Sequence, residues 1–70
     1  MDTKIEEIVD CTIQYTLEIL AEDPTRWPIA ARGIAMMIHN LAKDAPDHPA
    51  LARLRAFSAA QQADYVGDAR

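Results

Sequence analysis

With one cysteine in 70 residues the chain has no internal disulfide, and no Cys/His cluster shows the spacing of a zinc site. Neither covalent nor metal staple, the usual aids to small folds, is on offer. No apolar run approaches the roughly 18 residues that a bilayer-spanning helix needs, and the N-terminus opens on acidic and polar residues in place of a basic targeting region. A soluble, cytoplasmic protein without a membrane segment is expected. Bases are few as well: seven Lys and Arg face eleven Asp and Glu, for a net charge of −4. Generic contact with a phosphate backbone needs a basic surface, so nucleic acid is not the expected partner.

Large apolar side chains are also scarce. Half of the residues are hydrophobic, but many of these are alanine and only 6% of the chain is aromatic. At about 25 cal/mol per Å² of buried apolar surface, such a core leaves a modest margin over chain entropy. Seventy residues make one domain near the lower size limit for a single core. Self-association would widen the margin, and a homodimer is expected.

What the chain does have is an apolar middle, Pro28 to Asp44, reading PIAARGIAMMIHNLAKD. At about 100° per residue, Ala30, Ala31, Ile34, Ala35, Met37, Ile38, Leu41, Ala42 and Ala45 form one broad arc, wide enough to meet two neighbouring helices. The other side carries Arg32, Gly33, His39, Asn40, Lys43 and Asp44, with Ile29 and Met36 set among them one heptad apart. Solvation alone has no need of Ile29 and Met36 there. A partner surface is one reading; cover by a terminal segment, or simple exposure, is the other. Gly33 adds to the question, because a helix-interior glycine costs about 1 kcal/mol relative to alanine. Close approach of a partner and a helix crossing within the chain would each explain it. Ile29, Arg32, Gly33, Met36, His39, Asn40 and Lys43 are the candidate partner-binding residues, and adaptable Met suits such a surface.

The first helix is expected from the Thr3-Lys4-Ile5-Glu6 capping box. Ile5, Ile8, Val9, Ile13, Leu17 and Leu20 line its apolar face, with Thr12, Tyr15, Thr16 and Ile19 at the edges. Glu7, Asp10, Glu18 and Glu22 form an acidic face together with Gln14 and Ala21. That face is either a solvated exterior or a docking surface for a basic partner. The charge is uneven along the chain: residues 1–25 hold seven acids against Lys4, and residues 26–70 hold six bases against four acids.

Pro24 and Pro28 bracket a short, stiff connection, in which Asp23 and Trp27 are expected in extended or turn conformations. Trp27 is read as a lid over the helix pair or as an interface anchor. Pro46 stops the second helix, and Asp47 is the expected cap of a third. There Leu51, Leu54, Phe57, Ser58, Gln61 and Tyr65 make a packing stripe, while Ala52, Ala56, Ala59 and Ala63, continued by Val66, make a second one. The alanine stripe reads as a dimer interface admitting a close helix, or as surface propensity alone. Gly67 is expected to end the helix, leaving Asp68 to Arg70 as a tail. The spacing thus predicts an all-α, three-helix domain over 1–70, a helical hairpin plus a third helix, with helices near 3–22, 28–45 and 48–66.

Chemistry finds little footing. Cys11 sits beside the acidic face, where carboxylates disfavour a thiolate, and neither His39 nor His48 is placed near it. Asp44, Asp47 and His48 lack metal-ligand spacing, so no metal, no cofactor and no enzymatic activity are expected. As a helix-turn-helix the chain fits poorly, since Arg53 and Arg55 point to different sides of the third helix. The expected function is that of a small non-catalytic protein-binding regulator that occludes a functional surface of a larger protein. Small acidic inhibitors encoded by phages and mobile elements offer the analogy. A structural assembly subunit and a helical DNA-binding regulator are the alternatives.

Overall fold

A computed structural model describes residues 3–68, and every regular element in it is helical. Helix α1 spans Thr3–Glu22, a 3-10 turn covers Pro24–Arg26, α2 spans Trp27–Asp44 and α3 spans Pro49–Asp68. Among the described residues there is no strand. The three packed helices form a small all-α bundle in which α1 and α3 run the same way and α2 runs against them. Asp10 near the middle of α1 meets Arg53 early in α3, and Leu20 near the end of α1 shares a cleft with Gln61 and Tyr65 late in α3. Helices of 18–20 residues are about 30 Å long at 1.5 Å per residue, so the 42 Å longest dimension shows that they are staggered.

The core is assembled from Ile5 and Val9 of α1, Trp27 and Ile34 of α2, and Ala50, Leu51 and Leu54 of α3. Ile13, Leu20, Met37, Ile38, Leu41, Phe57 and Tyr65 pack around it half-buried. Small Ala50 beside two leucines lets the start of α3 approach its neighbours closely. Trp27 closes the opposite end: its ring is 2% exposed, and its Nε1 donates to Gln62 Oε1 at 2.7 Å. A buried indole needs such a partner, because an unmet N–H would carry a desolvation cost.

Local chemistry sets the helix ends, in several places differently from expectation. Asp23 is extended, as the following proline demands. Trp27 is not: it is already helical, with φ −52° and ψ −45°. Packing of the indole outweighs the local bias against helix before Pro28, and burial removes Trp27 as an interface anchor. Thr3, the first described residue, is already helical. Ahead of α3 the cap is His48 rather than Asp47. Its Nδ1 accepts from the Ala50 N–H at 3.1 Å and its carbonyl accepts from the Leu51 N–H at 3.0 Å. Pro49 takes the first helical position, which needs no N–H, and this places His48 as the residue adjoining the free amides. Gly67 does not end α3; it stays helical, without the positive φ of a glycine stop. The expected tail began at Asp68, which is still helical, and the rest of it lies outside the described residues.

Burial along α1 also differs. Thr16 is buried and Leu17 is 47% exposed, the reverse of their expected order. At 100° per residue Thr16 lies only about 20° from Ile5, whereas Leu17 lies about 120° away. The inward direction is set by where α2 and α3 sit, and it runs through Ile5, Val9 and Thr16. For the same reason Ala35, at the margin of the α2 arc, is exposed.

Candidate protein-binding surface

All seven residues nominated on α2, namely Ile29, Arg32, Gly33, Met36, His39, Asn40 and Lys43, are exposed. Ile29 and Met36 are 73% and 68% exposed, so no described segment folds back over them. Gly33 is free of close neighbours: a Cβ built there would meet nothing within 4 Å. The intramolecular crossing that would have explained this glycine is absent, and α2 carries its helix cost without a return inside the chain.

Folding adds a groove that the α2 wheel does not show. Between α1 and α2, on the side away from α3, Thr12, Tyr15, Thr16 and Ile19 face Ala30, Gly33, Ile34 and Met37 across a cavity of about 230 Å³. The groove continues past Ile19 and Ala30 to Arg26 and Ile29. Thr12 fixes its floor, donating its hydroxyl to the Ile8 carbonyl at 2.7 Å and lying 2.9 Å from Met37 Sδ. Tyr15, 66% exposed, stands on the α1 rim. The contribution of α1 was missed because Tyr15 and Ile19 sit at the edge of its apolar arc.

The rims differ in charge. Beyond Tyr15 on α1 come the exposed Glu7, Glu18 and Glu22, and beyond Ile29 and Met36 on α2 come the exposed Arg32 and Lys43. Of the acidic face, Asp10 is set apart: its carboxylate accepts from Arg53 Nη1 at 3.0 Å, in the one ion pair among the described residues. Such an exposed pair contributes about 0.2–1 kcal/mol. Gly33 and the rims aside, the remaining candidates stay separate. Ala52, Ala56, Ala59 and Ala63 all lie exposed on α3, and a second chain upon them is not shown. Cys11 is exposed and unpaired on α1.

At the α1 to α2 connection the Thr25 hydroxyl and N–H donate to Asp23 Oδ1 at 2.6 and 3.1 Å. These two bonds hold the Asp23 carboxyl below its ordinary value, and nearby Arg26 acts in the same direction. The cleft lined by Leu20, Pro24, Trp27, Gln61, Asp64 and Tyr65 is a shallow seam around the buried indole. Among the described residues, no three His, Cys, Asp or Glu side chains gather where they could hold a metal ion. No described helix is long and apolar enough to cross a membrane. No family model, curated protein or solved structure matches the chain.

Proposed function

We propose that this chain is a small, non-catalytic protein-binding regulator, working in the cytoplasm by covering a functional surface of a larger protein. One observation carries the reading: Ile29, Met36 and Tyr15, all well exposed, flank an apolar groove between two helices. Single exposed apolar residues are ordinary, but large ones gathered around a groove are the mark of an interaction face. Rims of opposite charge would orient what binds there. Occlusion of this kind is steric and electrostatic and involves no covalent step.

Affinity capture followed by binding measurements tests the reading. A partner held by the wild type should be lost with Met36→Asp, while circular dichroism shows unchanged helicity. Equal affinity for wild type and variant would remove this face from the proposal. The structural-subunit reading draws on the exposed alanine stripe, and Ala59→Glu should break an assembly built on it. DNA binding has less support, because Arg53, one of two arginines on α3 offered for it, is held by Asp10. A band shift with duplex DNA that weakens steeply with salt would revive that alternative.

A further inference from the structure

We infer that two copies of this chain pair through the open α1/α2 face, about a two-fold axis running along the groove, so that α1 of each copy lies against α2 of the other.

The register of the two helices within one copy carries the inference. Thr12 meets Met37, and Ile19 lines the groove beside Ala30. Because the helices are antiparallel with equal rise, positions at the same height follow by counting forward on one and backward on the other. Within one residue of that count, Glu18 is level with Arg32 and Glu7 with Lys43. Lys4, the one base on α1, is level with Asp44, the one acid on α2. Every one of these side chains is exposed, and none forms an ion pair within the described chain.

A two-fold axis along the groove keeps each height and exchanges the sides. It therefore sets the α1 rim of one copy over the α2 rim of the other, and each residue meets its opposite charge at its own level. The competing two-fold, across the groove, would stack α1 on α1 and place acid on acid and base on base. Opposite charges in register select the first arrangement and disfavour the second. A partner unrelated to this chain would place no demand on the two rims to complement each other.

Gly33 falls at the level of Tyr15 by the same count. In the pair, Tyr15 of the second copy would lie over Gly33, where the missing side chain leaves open space. This supplies the return for the helix-interior glycine that the single chain lacks. Tyr15, Ile19, Ile29 and Met36 provide the apolar area, and the exposed charges set register and choice of partner. The inference does not rest on the regulatory reading, since the purified chain alone tests it. The two share a face, so a larger protein would bind the single chain and compete with pairing.

Light scattering over a concentration series, with charge reversal, decides the matter. The wild type should reach twice the mass of one chain. Glu7→Lys with Glu18→Lys in one variant, and Arg32→Glu with Lys43→Glu in another, should each stay at single-chain mass. An equimolar mixture of the two should regain the doubled mass, because the reversed rims again complement one another. These four side chains are exposed and circular dichroism confirms folding of each variant. A wild type that remains single even at about 1 mM, where weak complexes already form, overturns the inference. So does a dimer that survives both reversals, or one that Ala59→Glu dissociates. Failure to regain mass on mixing overturns the two-fold arrangement as well.

Discussion

The two sides of α2 carry similar apolar side chains and meet opposite fates. Trp27 and Ile34 are 2% exposed, while Ile29 and Met36 stand about seven-tenths in solvent. Isoleucine occurs on both sides, so hydrophobicity of the residue is not what separates them. Position against α3 and α1 separates them, because only one side of α2 has a helix to press against. The closed side yields stability. The open side, with Gly33 between Ile29 and Met36, yields little stability and keeps a surface available.

Substitution on each side in turn should break this contrast if it is wrong. Trp27→Ala removes the largest buried side chain and the hydrogen bond to Gln62, and should cost about 3–5 kcal/mol. That loss is comparable to the whole stability of a chain this short, at roughly 0.05–0.15 kcal/mol per residue. Met36→Asp on the open side should stay within about 0.5 kcal/mol. Guanidinium melts followed by circular dichroism, at concentrations low enough to keep the chain single, measure both, and equal costs would mean that another part of the same chain covers the open face.

Gly33→Ala sharpens the comparison from the other direction. With open space where its Cβ would go, the variant should gain about 1 kcal/mol from helix propensity. Such a gain raises the melting temperature of a small domain by about 4–8 °C. Association through the open face should weaken at the same time. A glycine that stabilises nothing inside the chain but whose replacement costs binding identifies a contact position; a gain with no change in binding would leave Gly33 without a role.

The smallest effect concerns the junction between the two sides, at Asp23. Its folded carboxyl titrates below the ordinary value of 3.8, so its contribution is fully present above that value. As pH falls below 3.8 and through the lowered folded value, the contribution is lost. Thermal midpoints of wild type and Asp23→Asn, measured from neutral pH to acid, should show an extra acid-dependent fall in the wild type. The same fall in both proteins would show that the turn does not depend on the charge.

Much of the architecture was legible because helical periodicity is local. The apolar spacing of Ile5, Val9 and Ile13, the prolines at 24, 28, 46 and 49, and the Leu51–Leu54 pair mark three helices and two turns from neighbouring residues alone. The lone α2 wheel also exposed the anomaly of Ile29, Gly33 and Met36. Expectation failed for two reasons: Trp27 is helical before a proline because its ring is buried, a distant contact outweighing a local preference, and His48 caps α3 because the adjacent Pro49 sets the first helical position.

By itself, then, the sequence determined the fold class, the approximate helix limits and the apolar excess on the outer side of α2. Residues within a turn or two of one another decide these properties. Tertiary structure alone decided that Thr16 and not Leu17 points inward, that Tyr15 and Ile19 join α2 in a groove, that Asp10 is taken by Arg53, and that acids on one rim stand level with bases on the other. Each of these depends on the rotation and height of one helix relative to another, which no single helix encodes and which packing around Trp27, Leu51 and Leu54 settles.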